Sequence, residues 1–457
     1  MLNRRNILQL LVSAAVGSAS TGLPLPAMAA ESGRRRLPWK NWSGSQECLP
    51  IARKAPASVA ELQELITSTQ GVIRPLGAGH SFSPLVPTDG TLVSLSRMSG
   101  VLSHDAEALR ATVAAGSRLG DIGGTLEDLG QALINMPDID EQSLAGCLAT
   151  STHGTGASIG AMPTFATGIK MVAANGEIIS CDEQNNPEIF NAARVSLGSL
   201  GVITEITLQN IAPYRLRRET VWREFDEILE VADELADSHR NFEFYYIPFS
   251  GMGYTDVHDF TDEPVGSTEK LDPNEGVMDL KVAREWLESW PKVRELVLGG
   301  YAKTLSDEVT TESSWKNYTS ERNVRFNEME YHLPREHGLQ ALREVREALE
   351  SQHHEVFFPI EVRYVKGDDI WLSPFYQRDT MSIAVHRIFD EDFGPYFKTI
   401  EPIFRKYQGR PHWGKLNTLT QADFRVLYPK WQDFVEVRRE LDPQGRFLNP
   451  YLRELFA

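Results

Sequence analysis

The sequence predicts an α+β fold of two domains, the second built around a mixed or antiparallel sheet. Up to about residue 213, helical and strand patterns follow one another without a regular βα repeat. From about residue 214 the pattern changes to longer helices and aromatic-rich strands. A length of 457 residues suits two or three domains, with a core large enough to need no disulfide staples.

Residues 1–29 have the pattern of an export signal. Arg4 and Arg5 precede an apolar stretch from Leu8 to Val16, and an Ala-x-Ala cleavage site ends at Ala29. The paired arginines predict the twin-arginine route, with an ordinary secretory signal as the alternative. Because the twin-arginine route carries folded, cofactor-loaded proteins, we expect a periplasmic protein that receives a cofactor before export.

Charge and cysteine content narrow the possible partners. The formal net charge is −17, and it becomes −19 once Arg4 and Arg5 are removed with the signal. This balance argues against binding to nucleic acid, and nothing in the sequence indicates membrane contact. The three cysteines Cys48, Cys147 and Cys181 give no disulfide framework, and no Cys/His cluster has the spacing of metal ligands.

The first part of the chain has clear local signals. A capping box at Ser58–Glu61 predicts a helix over 58–69 that leads into a strand at 72–76. Asn175-Gly176 between two apolar runs predicts a β-hairpin. The other elements expected before Pro213 are strands at 92–95 and 109–114, a helix through Leu119, Ile122, Leu126 and Leu129, and a strand at 202–208 that follows a glycine-punctuated turn.

Two segments of this first part are candidate ligand loops. Gly77-Ala78-Gly79 is followed at once by His80; glycines permit positive φ and let N–H groups approach a pyrophosphate. The alternative is an ordinary surface turn with a solvated histidine. Residues 143–156 are rich in small and hydroxylated residues and too long for a simple turn, which favours a loop that wraps a ligand over a flexible linker.

The second part places polar residues on predicted strands and a loop. In a strand at 356–365, Glu361 and Arg363 share one face; His386 projects from a strand at 381–388. His412 and Lys415 flank a Trp-Gly pair. The alternatives are a solvent-facing ion pair and an exposed loop lysine. The other elements expected here are helices at 225–236, 339–349 and 396–407 and a strand at 242–247, whereas 255–320 shows only weak periodicity.

Together these stretches resemble the aldonolactone and alditol oxidases, a branch of the vanillyl-alcohol-oxidase (VAO/PCMH) type of flavoproteins. The resemblance covers residues 38–456. It is carried most specifically by Arg74–Pro84, Gly146–Gly156, Glu361–Arg363, Pro411–Lys415 and Asp442–Leu452. It implies an FAD-binding (PCMH-type) domain over 31–213, completed by 406–457, and a substrate-capping domain over 214–405.

The resemblance also implies the cofactor and the site residues. FAD would be attached covalently through its 8α-methyl group to His80. The implied cofactor-binding residues are Pro75, Gly77, Ala78, Gly79, His80, Ser81, Ser143, Gly146, Thr150, Thr152, His153, Gly154, Gly156, Val202, Ile203 and His412. The implied catalytic residues are Glu361, Arg363, Lys415, His386 and Ser143.

The family's chemistry gives these residues roles. A hydride passes from an alcohol carbon to flavin N5 while the hydroxyl loses its proton, so that fixed cations stabilise the developing negative charge. Arg363 and Lys415 are the expected cations, and a neutral Lys415 of lowered pKa is an alternative proton acceptor. Glu361 would orient the substrate and hold Arg363, and His386 would bind another hydroxyl.

The expected activity is oxidation of a sugar 1,4-lactone at its carbon-2 hydroxyl, with oxygen as the electron acceptor. Pro137 stands near a family position that controls access of oxygen to the flavin. A dehydrogenase that reduces a quinone or cytochrome is therefore one alternative. An alditol oxidase acting on xylitol or sorbitol is a second, and an exported carbohydrate-binding protein without activity is a third.

Overall fold

The computed structural model describes residues 36–266 and 273–456. The predicted export signal at 1–29 lies outside these residues. The strands in the described ranges are β1 (Trp39–Lys40), β2 (Glu47–Cys48), β3 (Ala52–Lys54), β4 (Ile73–Leu76), β5 (Thr91–Ser94), β6 (Val101–Asp105), β7 (Arg110–Ala114), β8 (Ala166–Val172), β9 (Ile178–Asp182), β10 (Val202–Gln209), β11 (Arg215–Glu224), β12 (Asn241–Tyr246), β13 (Met252–Thr261), β14 (Glu308–Ser313), β15 (Phe326–Pro334), β16 (Ile360–Val365), β17 (Thr380–Ile388) and β18 (Arg410–Pro411).

Helices cover the sheets and connect their strands. In the described ranges they are α1 (Val59–Ser68), α2 (Leu119–Asp128), α3 (Leu144–Ala149), α4 (Pro187–Ala193), α5 (Phe225–Ser238), α6 (Pro273–Leu287), α7 (Pro291–Ala302), α8 (Ser314–Asn317), α9 (Arg335–Gln352), α10 (Gly394–Lys406), α11 (Gln421–Leu427), α12 (Trp431–Leu441) and α13 (Pro450–Phe456). None of them is long and apolar enough to span a bilayer.

The strands before residue 210 form two main sheets. A parallel sheet has the order β3-β5-β4, and an antiparallel sheet has the order β6-β7-β10-β8-β9. The predicted hairpin is present as β8 and β9, joined by the turn at Gly176, whose φ is +87°. The 77–81 turn follows β4 directly, and both this turn and helix α3 belong to the site described below.

The strands after residue 214 form one antiparallel sheet of eight strands, in the order β14-β11-β13-β12-β16-β17-β15-β18. One face of the sheet is apolar, with Phe244, Val362, Ile383 and Tyr331 all fully buried. Helices α5, α9 and α10 pack on it. Burial of one face leaves the opposite face for polar side chains.

The C-terminal segment binds back to the N-terminal part of the chain. The Arg446 guanidinium donates to the carbonyls of Ile66, Thr69 and Ala174 at 2.6–2.7 Å. Asn449 Nδ2 donates to three carbonyls in the segment that follows the 77–81 turn, those of Pro84, Leu85 and Pro87. The far end of the chain therefore holds this segment in place.

The α+β class with antiparallel sheets agrees with the prediction, and the expected helices and strands are present with shifted ends. One prediction needs correction: the segment 143–156 is not a loop throughout, because residues 144–149 form helix α3. Several elements were not predicted, among them strands β11, β13, β14 and β15 and helices α6 and α7. The domain boundaries near 213 and 405 stay a prediction, and residues from Arg36 onward form one compact unit.

Candidate active site

Strand register collects the predicted polar residues on one face of the large sheet. In antiparallel pairing, residues directly opposite each other point to the same side. One row across four strands is Tyr245, Glu361, Ala384 and Glu330; the next row is Glu243, Arg363, Ser382 and His332; His386 lies opposite Glu328. Residues that are far apart in sequence thus line one surface.

Arg363 is held by three carboxylates. It forms a short ion pair with Glu361 and lies 3.3 Å from both Glu243 and Asp138. Burial alone would lower the pKa of Arg363, but the attraction of Glu361, Asp138 and Glu243 outweighs it and raises the pKa well above the ordinary value. The guanidinium is therefore a permanent, fixed charge.

Lys415 is also charged, which corrects the alternative of a neutral lysine base. Its Nζ forms a short hydrogen bond with Glu328 and lies 4.0 Å from Glu330. Burial would lower the pKa of Lys415, but the two carboxylates raise it above its ordinary value. An ammonium group cannot accept the proton of a substrate hydroxyl, so another residue must do so.

Glu361 has an oxygen available for that task. Both hydrogen bonds that it accepts from described residues, from Tyr245 at 2.6 Å and from Arg363, end on Oε1. Its Oε2 accepts none. His386 completes this side of the cluster: its Nδ1 lies 3.2 Å from the carbonyl of Pro359, and its Nε2 lies 3.6 Å from Glu328.

His80 lies half-buried beside this cluster. Its ring stacks on Trp42 with centroids 5.8 Å apart, and the Trp42 ring contacts Phe326 of β15. Burial, with smaller contributions from Lys415 and Arg118, lowers the pKa of His80 to about 4, so the imidazole is neutral at pH 7. Lys415 lies over the ring of Phe82, with Nζ 5.2 Å from its centroid.

The loop at 412–415 is joined to the segment that follows His80. The N–H of Phe82 donates to the carbonyl of Gly414 at 2.7 Å, and Ser83 Oγ donates to that of Trp413 at 2.6 Å. His412 Nδ1 accepts the N–H of Gly414 at 2.9 Å. A neutral His412 ring therefore carries its proton on Nε2, and burial lowers the pKa of His412 to about 3.

The 77–81 turn lies against the start of α3. A Cβ on Gly77 would come within 2.3 Å of Ser143 Oγ, so a larger residue there would displace the Ser143 side chain or the turn. Gly79 has φ +79°, and Gly77 and Ala78 are exposed. In the described part of the chain, the N–H groups of residues 78–81 donate no hydrogen bond. A row of unpaired backbone donors is a suitable seat for an anionic ligand.

The segment 150–156 lies between this turn and the large sheet. Thr150, Thr152, His153 and Gly154 are all buried. His153 Nε2 contacts Glu330 at 2.9 Å while its Nδ1 contacts the carbonyl of Gly154 at 2.8 Å. The Gly156 N–H donates to the carbonyl of Tyr364 at 2.7 Å. The predicted cofactor loop and the predicted substrate strands therefore meet.

Strand β10, which carries Val202 and Ile203, contacts helix α3. Both residues are buried at the start of β10, paired with β8. The neighbouring turn contacts Pro75, since a Cβ on Gly198 would come within 2.8 Å of the Pro75 ring. No hydrogen bond or ion pair between described residues joins Val202 or Ile203 to the 77–81 turn.

Comparison with known proteins identifies the family. A model for D-arabinono-1,4-lactone oxidase matches residues 206–455, and one for an FAD-binding domain matches residues 50–182. An L-gulono-1,4-lactone dehydrogenase from Mycobacterium tuberculosis is 36% identical over 92% of this chain and 99% of its own length. The chain belongs to the aldonolactone oxidase family.

Other relatives of this aldonolactone oxidase family member are also named as lactone or alditol oxidases. The L-gulonolactone oxidase of Bos taurus is 32% identical over 93% of this chain and 99% of its own length. A Streptomyces alditol oxidase is 27% identical over 91% of this chain and 98% of its own. Among solved structures, a solvent-stable cholesterol oxidase has a TM-score of 0.77 at 18% identity, covering 92% of this chain and 98% of that chain, which supports the fold alone.

The residues of this aldonolactone oxidase family member fit FAD. The family and the match to the FAD-binding-domain model both indicate FAD as the cofactor. The unpaired N–H groups of residues 78–81, in a turn whose Gly77 packs against Ser143, form a cradle of backbone donors. Backbone donors in such a turn suit a pyrophosphate. His412 belongs to the loop that is hydrogen-bonded to Phe82 and Ser83, just after this turn. No described residue engages its Nε2 proton.

Sequence reasoning missed five ionisable residues of the cluster: Asp138, Glu243, Tyr245, Glu328 and Glu330. Glu328, Glu330 and His332 alternate along β15, and this period-2 pattern was the available signal. The structure also brings two groups of possible metal ligands together, His153 with Glu330 and His332, and Glu328 with Glu361 and His386. Most of these groups already pair with one another or with Lys415.

Proposed function

We propose that this protein oxidises the carbon-2 hydroxyl of a sugar 1,4-lactone to a carbonyl, with FAD as hydride acceptor and oxygen as the final electron acceptor. The observation that carries the proposal is the pair of cations, buried Arg363 and partly buried Lys415, on one polar face next to the loops that fit FAD. The lactone-named relatives of Mycobacterium tuberculosis and Bos taurus, at 36% and 32% identity, support a lactone over an alditol, because the alditol oxidase is 27% identical.

Each residue has a distinct task in this proposal. FAD, when bound, supplies the ring that takes up a hydride. Arg363 and Lys415 stabilise the hydroxyl oxygen as it becomes more negative in the transition state. Glu361 accepts the hydroxyl proton at its unoccupied Oε2.

The charge of the cluster supports a neutral substrate. Five carboxyl groups face only three permanent cations; they are Asp138, Glu243, Glu328, Glu330 and Glu361 against Arg322, Arg363 and Lys415. An added carboxylate would find a site already rich in negative charge. We therefore expect the closed lactone to react and the open-chain aldonate to fail.

A substrate panel tests the activity. The purified protein is mixed without oxygen with arabinono-, galactono- and gulono-1,4-lactone, their aldonates, xylitol and sorbitol, and loss of the flavin absorbance is followed. We expect reduction by at least one lactone and none by the aldonates. Reduction by polyols alone would replace the proposal with alditol oxidation.

The covalent bond between FAD and His80 is a separate part of the proposal. A neutral imidazole has the lone pair that a bond to carbon requires, and the low pKa of His80 keeps the ring neutral. Precipitation with acid tests the bond: a yellow pellet is expected, and a yellow supernatant would mean noncovalent FAD. A colourless pellet and supernatant would instead favour a binding protein without activity.

The electron acceptor needs its own measurement. Pro137 is buried next to Asp138, which contacts Arg363, so this segment reaches the site. The Mycobacterium tuberculosis relative is named a dehydrogenase, which keeps a quinone or cytochrome as the second candidate. After anaerobic reduction by lactone, we expect air to restore the flavin colour within seconds; recovery only with an added quinone or cytochrome c would favour a dehydrogenase.

Export by the twin-arginine route completes the proposal. Its support is the Arg4-Arg5 pair with the apolar run and Ala29 site in the sequence. We expect fractionation to find the flavin-containing protein in the periplasm. Replacing both arginines by lysine should keep it, still yellow, in the cytoplasm; periplasmic protein from that variant would indicate the ordinary secretory route.

A further inference from the structure

We propose that Tyr245 and Glu243 form a proton relay behind Glu361, which carries the substrate's hydroxyl proton away from the reacting site. The inference rests on the proposed function, because it takes Glu361 as the first acceptor of that proton. Tyr245 and Glu243 lie on β12, the neighbour of the strand that bears Glu361 and Arg363.

The three side chains form a continuous chain of oxygen atoms. Tyr245 lies opposite Glu361 in the sheet, and its Oη is 2.6 Å from Glu361 Oε1 and 3.0 Å from Glu243 Oε1. A phenol has one proton, and it can donate to only one of these oxygens. When both contacts are hydrogen bonds, one of the two carboxyl groups must be protonated and donate to the phenol oxygen. The three side chains can therefore gain and lose one proton.

The extra proton belongs on Glu243. Glu361 is paired closely with the Arg363 guanidinium, whereas Glu243 faces Arg363 Nε at 3.3 Å without a well-formed hydrogen bond. Burial raises the pKa of Glu243 to about 7; Arg363 opposes this, while Glu361 and Asp256 reinforce it. The ionisable groups that face Glu243 are Arg363 and Glu361 on β16, Tyr254 and Asp256 on β13, Arg218 on β11 and Tyr245 on its own strand.

The transfer can be written step by step. The substrate O–H bond breaks and its proton binds Glu361 Oε2, while the carbon-bound hydrogen leaves with its electron pair to FAD. A half-turn of the Glu361 carboxyl group brings the proton to Tyr245 Oη. Tyr245 then passes its own proton to Glu243 Oε1. Glu361 returns to its ionised form beside Arg363, and Glu243 ends the sequence as a neutral acid.

The relay predicts a pH dependence with a definite sign. Glu243 can accept a proton only when it is ionised, so kcat/KM for the lactone should rise with pH through a titration near pH 7. In the Glu243→Gln variant this titration should disappear, and kcat should fall about 100-fold, the lower end of the usual contribution of proton transfer.

Two further variants separate a relay from a structural effect. Tyr245→Phe breaks the chain of oxygen atoms in its middle. The double variant Tyr245→Phe/Glu243→Gln should lose no more activity than either single variant, because both changes interrupt the same path. Tyr254→Phe is the matched control: its ring stacks on Tyr245 at 4.6 Å, but its hydroxyl is outside the chain. It should keep the rate and pH profile of the unchanged protein.

A measurement without turnover tests the same proton. Infrared titration of the substrate-free holoenzyme should show a carboxylic-acid band that titrates near pH 7 and is absent from Glu243→Gln. If the protein oxidises lactones but Glu243→Gln keeps the wild-type rate, pH profile and band, the relay is wrong and the proposed function stands. If the protein oxidises no lactone, the proposed function fails, and the relay fails with it.

Discussion

At the scale of single residues, neighbours decide what a side chain can do. Lys415 alone could serve as a base or as a cation. Glu328 and Glu330 settle its charge, since they raise its pKa in spite of burial. Glu361 and Arg363 were recognised in the sequence because strand alternation is local. Glu328 and Glu330 were missed because β15 was not recognised as a strand.

Removing the charge of Lys415 should slow the chemical step. In Lys415→Met, a side chain of similar length remains but the positive charge beside Glu328 is lost. We expect flavin reduction by lactone in a single turnover to slow about 100-fold or more, the usual effect of losing a group that stabilises developing charge. Lys415→Arg, which keeps the charge, should lose less; equal losses would mean that shape, not charge, matters.

Gly77 offers a prediction about the cofactor cradle. Gly77→Ala places a Cβ within 2.3 Å of Ser143 Oγ, so either the turn or the Ser143 side chain must move, and FAD occupancy should fall. Adding Ser143→Ala removes the clashing oxygen and should restore part of the occupancy, measured as flavin absorbance per protein. Full occupancy in Gly77→Ala alone would show that the turn is not confined.

At the scale of elements, strand register assembles the site. Four strands contribute polar residues from 241–246, 326–334, 360–365 and 380–388, and only their pairing places these residues in rows. Alternation predicts which residues share a face within one strand. It does not predict which strands are neighbours, because that depends on contacts far apart in sequence. The residues of the site could therefore be predicted in part, but not their ion pairs.

Helices α6 and α7 explain why the sequence between 255 and 320 was hard to interpret. Their outward faces carry large apolar residues, among them Trp286 and Leu296, so the usual contrast between a polar and an apolar face is weak. Leu296 is 76% exposed, whereas Leu298, two residues later, is only 7% exposed. Similar residue types thus occupy opposite environments on one helix.

This pair gives a test of helix placement. Leu298→Ala should lower the free energy of unfolding by about 2–4 kcal/mol, as core truncations do. Leu296→Ala should change it by about 0.5 kcal/mol or less, since surface substitutions have small effects. Denaturant unfolding of the two variants measures the difference. Equal losses would contradict the placement of α7.

At the scale of the whole molecule, the C-terminal segment supports the segment that follows the 77–81 turn. Asn449 Nδ2 donates to the carbonyls of Pro84, Leu85 and Pro87, and Arg74 donates to the carbonyl of Phe447. The turn-rich tail was predicted from its sequence, but its partners could not be, because they lie more than 250 residues away, 272 for Ala174 and 380 for Ile66.

Asn449→Asp tests this support. It keeps the oxygen that accepts the N–H of Leu452 at 3.0 Å, but removes the donor and faces the three carbonyls with an acceptor. We expect a loss of about 1–3 kcal/mol in unfolding free energy, as for other buried groups left unpaired. FAD retention during gel filtration should fall as well. Asn449→Ala should be milder, and an unchanged Asn449→Asp would contradict the account.

The central claim is that the hydrogen on carbon 2 of a sugar lactone leaves as a hydride within a cluster organised by Arg363 and Lys415. The most direct measurement compares the rate of anaerobic flavin reduction by an L-gulono-1,4-lactone that carries deuterium at carbon 2 with the rate for the ordinary lactone. The account predicts reduction several-fold slower with the deuterated compound. Equal rates, in a protein whose flavin the lactone does reduce, would contradict it.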